Sequence, residues 1–391
     1  MAAMIPLSKR NYRYIRIVIA GSLLSIFGLL FAISAGAQPP GTFIASGPLP
    51  SARRSSASTL LPANRLLVMG GVDSSRRLTS LVAYNTASRT FNTVGNADAP
   101  YDTLTLLDDG KVLLAGRGNV ISIGSNRSIQ TTAQVYDPST GGFTSTGPLL
   151  EGLSSAQAVR LADGRVLLLG GRISNGAAST ATAEIYDPAS GTFSFTGSMT
   201  TPRYNYTATL LQDGKVLVVG GISSSVTETP LASAELYDTA TASFAPIGNM
   251  TTPHANHTAT LLADGRVLIA GGSSRPSAAQ NSVTPVAEIY DPVTNTFSVT
   301  SAMLTPREFH TATRLDNGDV LIAGGDNTLN VLASTELYDP VSGTFSAAAV
   351  MSVPRENFVA ALLSDGDVLM AGGLTDFTEG ANTATTEVYI P

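Results

Sequence analysis

One segment recurs seven times along this chain, and that repetition constrains the fold more than any other feature. Residues 257–297 read HTATLLADGRVLIAGG, then a variable linker, then AEIYDPVTNTF. The diglycine returns at Gly70-Gly71, Gly170-Gly171, Gly220-Gly221, Gly271-Gly272, Gly324-Gly325 and Gly372-Gly373, with a degenerate Gly116-Arg117 filling the remaining gap. A tyrosine follows each: Tyr84, Tyr136, Tyr186, Tyr237, Tyr290, Tyr338 and Tyr389. A period of about fifty residues is that of arrays whose single units cannot bury an apolar face alone and must stack. The 391 residues would otherwise suggest two or three domains, but one closed ring uses them all after the first forty.

Each copy reads as four strands. The first is the Thr-Ala-Thr-Leu type segment, as at 207–211 and 258–262. Asp213-Gly214, Asp264-Gly265 or Asn317-Gly318 follows, which predicts a two-residue hairpin with positive φ at both positions. The second strand is an almost unbroken apolar run, such as 215–219 or 266–270, as expected where both sheet faces are covered. The diglycine ends it, where close backbone approach or a bulge excludes a side chain. The third strand, Ala-Glu-Ile-Tyr or a variant, stops at Asp-Pro, a turn-forming pair. The fourth carries a phenylalanine seven residues after the tyrosine in six copies: Phe91, Phe143, Phe193, Phe244, Phe297 and Phe345. The last copy halts at Tyr389-Ile390-Pro391, while Gly41-Thr42-Phe43 has the sequence of a fourth strand. The expected fold is therefore all-β, a seven-bladed β-propeller of four-stranded antiparallel blades, closed by the N-terminal strand completing the last blade.

Two charge series run through the copies. Glu184, Glu235, Glu288, Glu336 and Glu387 lie two residues before the tyrosine, where Val82 and Gln134 stand in the first two copies. Arg53, Arg203, His254, Arg307 and Arg355 precede the first strands, where Ala99 and Leu153 stand in the second and third. Shifted by one blade the series match throughout: Glu184 with Arg203, Glu235 with His254, Glu288 with Arg307, Glu336 with Arg355, Glu387 with Arg53. They are expected as structural inter-blade ion pairs.

Residues 1–37 are of another kind. Lys9, Arg10, Arg13 and Arg16 precede an apolar run from Ile17 to about Ile33, and Ala35-Gly36-Ala37 offers a small-x-small cleavage site. That order is a secretory signal peptide, with an uncleaved anchor as the alternative, so 38–391 is expected as an exported domain, periplasmic, extracellular or at the cell surface. Its removal takes four positive charges and no acid, so the net charge moves from −6 to −6 − 4 = −10. An acidic exported domain argues against nucleic-acid binding. There is no cysteine, hence no disulfide, thiolate metal site or cysteine nucleophile.

The diglycine, the spaced Tyr and later aromatic, and the Pro-Arg before the next strand resemble kelch repeats over about 41–391. Kelch repeats usually carry Trp where this chain has Phe, which marks a divergent, bacterial-type form. The resemblance implies a propeller, a scaffold shared by binding proteins and enzymes. It also brings two enzymes to the test. Galactose oxidase resembles this chain in blade number, but its copper-radical centre needs a Tyr–Cys crosslink, which a chain without cysteine cannot form. Periplasmic sialic acid mutarotases resemble it in fold and export.

Strand alternation sends the Asp-Gly and Asp-Pro turns to one face. The linkers after the diglycine, at 72–80, 118–131, 273–285 and 374–385, go to the other with the Thr-Pro-Arg connections. Variable loops on a rigid scaffold are where recognition sits. His257 and His310 occupy equivalent positions, matched by Tyr206 and Phe358 in flanking blades, and four rings at one mouth form a candidate stacking patch for a sugar or peptide. Arg172 and Arg275 in the variable loops are further ligand-binding candidates, as are Arg76, Arg77 and Arg127. His254 and His257, three apart on a strand start, are expected on opposite faces and so not on one metal. Arg203, Arg307 and Arg355 could instead grip a carboxylate, but their matched acids assign them to the scaffold. No nucleophile elbow, zinc-protease motif, phosphate loop or dinucleotide fingerprint occurs. The reading is a monomeric, non-catalytic binding module for a glycan or protein ligand, needing no cofactor or metal. The alternative is a carbohydrate-active enzyme, mutarotase-like or a lyase, with its site at the ring mouth.

Overall fold

The structure is a computed structural model that describes residues 41–116, 131–173, 178–223, 228–275, 282–378 and 380–391, with the backbone alone of 120–123 and 126–129. The expected signal segment, 1–37, and the side chain of Arg127 lie outside the described residues. Among those described, no helix is long and apolar enough to cross a membrane.

Seven four-stranded antiparallel sheets form the blades. In blade 5 the order is Thr258–Leu261, Val267–Ala270, Ala287–Asp291, Thr296–Val299, each strand bonded to the next. First strands of successive blades pack against one another, and those of blades 7 and 1 meet, so they line the axis. The seventh blade is completed from the other end of the chain: Thr42–Ser46 pairs with Thr386–Ile390, placing Phe43 opposite Tyr389. The tyrosine and phenylalanine seven residues apart are cross-strand partners in the other six blades, with ring centroids 4.8 to 5.0 Å apart, and 5.2 Å for Tyr389 and Phe43.

The apolar second strands are buried at every position, as Val267–Ala270 and Val320–Ala323 show. The core lies between blades rather than within them. One cluster joins Leu268, Ala270 and Ile289 of blade 5 to Val320, Ile322 and Tyr338 of blade 6. Another joins Val68, Val82 and Tyr84 of blade 1 to Leu369 and Val388 of blade 7 across the closure.

The Asp-Gly turns differ from the two-residue hairpin. Leu211 N–H bonds Lys215 C=O at 2.8 Å and Gly214 N–H bonds Leu211 C=O at 3.1 Å, which leaves a three-residue loop, Gln212-Asp213-Gly214. Only the glycine is left-handed, with φ 84°. Asp213 stays in ordinary backbone space because its carboxylate accepts the Lys215 N–H.

The acid–base pairs form within repeat copies, three as arginine–glutamate ion pairs and one as a histidine–glutamate contact, which corrects the shifted pairing. Arg203 meets Glu235 at 2.8 Å, His254 meets Glu288 at 3.4 Å, Arg307 meets Glu336 at 2.7 Å and Arg355 meets Glu387 at 2.9 Å. Among the described residues Glu184 has no basic partner, since Leu153 stands in its copy, and it accepts instead from the N–H groups of Leu150 and Glu151. Arg53, in whose copy Val82 stands at the acid's position, bonds Ser51, Ser80 and the Gly70 carbonyl. The physical reason is the path of the chain. The connection leaving one blade's outer strand crosses the end of the third strand of the blade it is entering. Thr200 and Thr201 N–H therefore reach Glu235, and Arg203 reaches the same carboxylate.

The pairs nevertheless join blades, through the backbone. Gly171 N–H of blade 3 bonds the Arg203 carbonyl at 2.9 Å, while Arg203 Nη1 bonds the Gly220 carbonyl of blade 4 at 2.7 Å. The same link recurs with Gly272, Arg307 and Gly324, with Gly325, Arg355 and Gly372, and across the closure with Gly373, Arg53 and Gly70. This close approach explains the diglycine. Gly271 has φ 66°, and a Cβ there would lie 2.5 Å from the Arg307 carbonyl oxygen. Gly318, in an Asn-Gly turn, has φ 96° with nothing within 4 Å of such a Cβ. Gly318→Ala is expected to cost about 1–2 kcal/mol, the left-handed backbone alone. Gly271→Ala should cost roughly 1–3 kcal/mol more through the clash. Urea melts of the two variants check the order, and equal losses would remove the close approach as the cause.

Candidate functional site

The connection that carries the basic residue also builds the mouth of the ring. The next residue pairs with the one following its own blade's diglycine: Ser154 with Arg172, Tyr204 with Ile222, Ala255 with Ser273, Glu308 with Asp326, Glu356 with Leu374. The residue after that is left-handed in six blades, with φ between 51° and 56° at Ser55, Ser155, Asn205, Asn256, Phe309 and Asn357. Their N–H groups pass from blade to blade: Asn256 to the Asn205 carbonyl, Phe309 to Asn256, Asn357 to Phe309, and Ser55 to Asn357. At Ser155 the series breaks, and its N–H goes to the Asp102 carboxylate at 2.8 Å. Asn and Ser suit this conformation, but a bulky side chain does not, so Phe309 is held there against its preference.

A pocket of about 210 Å³ opens at this collar, lined among others by Arg172, Tyr204, Glu228, Asn256, Glu308 and Phe309. It spans blades 3 to 6 on the variable-linker face. The Arg172 guanidinium carbon lies 3.7 Å from the Tyr204 ring centroid, a cation–π contact. Asn256 Nδ2 donates to Glu308 Oε2 at 2.8 Å. Burial, reinforced by nearby Asp326, pushes the Glu308 carboxyl up to about 7. Beside it, burial and a hydrogen bond with Asp326 push Glu356 up to about 8. The site thus gathers a stacked cation, two aromatic rings, an amide and a carboxyl poised near neutrality.

Arg172 is the one residue of the expected set that lines this pocket. Arg275 is exposed and is not among its described lining residues. Arg76 is held by Asp73 and Arg77 by Asp102, at 3.5 and 3.9 Å. The four-ring patch is corrected. Tyr206, His257, His310 and Phe358 are all buried, each covering the first glycine of the preceding blade's diglycine. Tyr206 OH donates to the Leu169 carbonyl, and the Nε2 atoms of His257 and His310 bond Thr207 and Thr258 of the preceding blades at 2.9 Å. They sit in the seams, where burial brings His310 down to about 3 and holds His257 well below the usual imidazole value. His254 and His257 also fail to point apart. Left-handed Asn256 turns the chain between them, and the rings meet edge-on at 5.8 Å. Tyr204, Asn256, Glu308 and Phe309 were missed from sequence, although Asn recurring two residues after the basic position was the signal available.

Two larger depressions, about 340 and 270 Å³, lie on the opposite face among the Asp-Gly and Asp-Pro turns of blades 2 and 3. Among their charges Asp109 is matched by Lys111, Asp163 by Arg165 and Asp108 by Arg160, while Asp137 and Asp187 are held by turn hydrogen bonds. The smaller mouth pocket, with a stacked cation, two aromatic rings and a carboxyl raised towards neutrality, is the better candidate.

Comparison with known proteins agrees with the fold. A model of the Kelch motif matches residues 203–251, about one repeat. No curated protein sequence matches the chain. Among solved structures, a fungal alcohol oxidase of the AA5 family in complex with copper superimposes with a TM-score of 0.68 at 17% identity, covering 90% of this chain and 76% of its own. That likeness is one of fold. A copper-radical centre does not fit here: there is no cysteine, and all three histidines are buried in blade seams.

The buried acids and imidazoles set opposite pH dependences. Glu308 and Glu356 titrate at about 7 and about 8 against 4.5 for a free glutamate, so the folded chain holds protons the unfolded chain has lost. Their contribution is present below about pH 4.5 and is lost as pH rises through 7 to 8, with Glu308→Gln flattening that limb by about 2 kcal/mol. His310 and His257 lie below 6.5, so unfolding takes up protons as pH falls under 6.5. His310→Phe, matching Phe358 in the next blade, should therefore resist acid better than the parent chain. Melting temperatures from pH 4 to 9 check both slopes.

Proposed function

We propose that this seven-bladed β-propeller, which carries a Kelch motif at residues 203–251, is a binding module whose mouth pocket holds the terminal ring of a glycan. Phe309 carries the reading. Five other blades place Ser or Asn in its left-handed position, where Phe is strained. Strain kept at a pocket wall supports a role for the ring itself, and an aromatic face is what a sugar's C–H face packs against. Asn256 and Glu308 supply hydroxyl partners beside it. The volume of about 210 Å³ suits one sugar ring better than a folded domain. The propeller is further proposed to act outside the cytoplasm, delivered by residues 1–37.

A glycan array with the full chain and with Phe309→Asn tests this. Asn occupies the same position in three other blades, so the variant should fold at least as well as the parent while losing about 1–2 kcal/mol of glycan affinity. Glycan signals that are absent, or that ignore the substitution, would leave a protein surface as the ligand.

A carbohydrate-active enzyme is the second reading, favoured by one observation. Glu308 lines the pocket with its proton available near neutral pH, the state a general acid needs. Turnover of a bound sugar that Glu308→Gln abolishes, with affinity retained, would favour it over simple binding.

A further inference from the structure

We propose that the mouth pocket reads a carboxylate on its sugar, so that the ligand is an acidic saccharide of the uronate kind recognised through Arg172. The inference rests on the proposed glycan reading of the same pocket and specifies its ligand.

The observation is a cation prepared and left over. The seam arginines are consumed: Arg203, Arg307 and Arg355 each hold a glutamate and two carbonyls, and Arg53 holds two serines and a carbonyl. On the surface Arg160, Arg165 and Arg266 each hold an aspartate. Arg172 has no carboxylate within ion-pair distance among the described residues; its Nε is buried without a hydrogen-bond partner, as are those of Arg203, Arg307 and Arg355, but unlike them it holds no glutamate through its Nη atoms. The backbone bonds between Ser154 and Arg172 fix its strand start, and the Tyr204 ring fixes its guanidinium. A guanidinium stacked on a ring keeps its N–H groups in the plane, where the fork matches the two oxygens of a carboxylate.

Besides Arg172 the lining holds two acidic residues, Glu228 and Glu308, with Asn256 and the rings of Tyr204 and Phe309. Glu308 is bonded by Asn256 and is pushed towards its neutral form, so it repels an incoming carboxylate less than an ordinary glutamate and can donate to a hydroxyl. Phe309 and Tyr204 offer apolar faces for the ring carbons, and Asn256 an amide for a further hydroxyl. A protonated amine entering beside Arg172 would meet a like charge. A neutral sugar would leave the guanidinium desolvated without a counter-charge, which costs affinity.

The test compares D-glucuronate, D-glucuronamide and D-glucose by calorimetric titration into the full chain at pH 7, for the parent protein, Arg172→Gln and Arg172→Lys. Glucuronate should bind about tenfold more tightly than glucuronamide, the difference expected for one charge-assisted contact. Arg172→Gln should erase that ratio, and Arg172→Lys should keep part of it. Equal affinity of the parent chain for glucuronate and glucuronamide overturns the inference while leaving the glycan reading standing. No binding of any of the three overturns both. A ratio that survives in Arg172→Gln, with the variant's melting temperature unchanged, would place carboxylate recognition elsewhere. If either variant fails to fold, the parent's ratio between the acid and its neutral amide decides the matter.

Discussion

The ring depends on one contact repeated at its seams: a glycine N–H from one blade on the carbonyl of a basic residue whose side chain grips the next blade. In blade 4 the guanidinium of Arg203 takes the Gly220 and Ser233 carbonyls and the Glu235 carboxylate, all out of water. A buried ion pair contributes little net stability against an apolar replacement, but breaking one is costly. Its value here is positional. The diglycine fixes how closely two blades approach, and the glutamate fixes where the connection crosses. Apolar second strands supply the cohesion but would tolerate small slips that the hydrogen-bonded link does not. The closure between blades 7 and 1 uses the same link through Arg53 and Gly373, so the place where the chain ends meet is held like the continuous seams.

The mouth follows from the seam. The two residues after the basic side chain have no freedom: one pairs beside the diglycine, and the other is turned left-handed and bonded to the neighbouring blade. Their backbone is fixed by scaffold contacts, so their side chains can change without altering the ring. Tyr204, Ala255 and Glu308 stand at one equivalent position, and Asn205, Asn256 and Phe309 at the next. Tyr204, Asn256, Glu308 and Phe309 are in this way placed by scaffold contacts, while Arg172 comes from the linker after its blade's diglycine.

How much of this was legible depended on whether a property repeats. Strand order, the Tyr–Phe partners and the closure by Phe43 could be read because each copy supports the others. The ion pairs were legible as residues but not as pairs. Two seven-member series can be brought into agreement by a shift, and nothing in the letters says that the connection crosses the third strand of the blade it enters. His257 and His310 were misplaced for a related reason. They sit next to the mouth in sequence, but left-handed Asn256 and Phe309 turn the chain just before them and send the rings into the seams. The Asp-Gly turns differed in loop length because aspartate satisfies a backbone N–H and spares itself the left-handed conformation. The pocket was largely illegible, since its residues are those in which the copies differ.

Departures from the repeat are concentrated in the first three blades. Arg53 lacks its acid, Ala99 and Gln134 replace both partners, and Leu153 leaves Glu184 without a base. Each departure is locally compensated, by serines around Arg53 and by two backbone N–H groups on Glu184. Blades 4 to 7 keep both partners, as arginine and glutamate in three and as histidine and glutamate in blade 5. The mouth pocket straddles this boundary: Arg172 comes from blade 3, while Tyr204, Asn256 and Phe309 come from connections that carry full pairs. A strained Phe309 requires rigid surroundings, and it stands two residues after Arg307, whose Nη atoms bond the Gly324 and Ser334 carbonyls and the Glu336 carboxylate. The strongest seams thus lie where the mouth asks most of the backbone, which is the distribution expected if local strain is sustained by an over-determined scaffold.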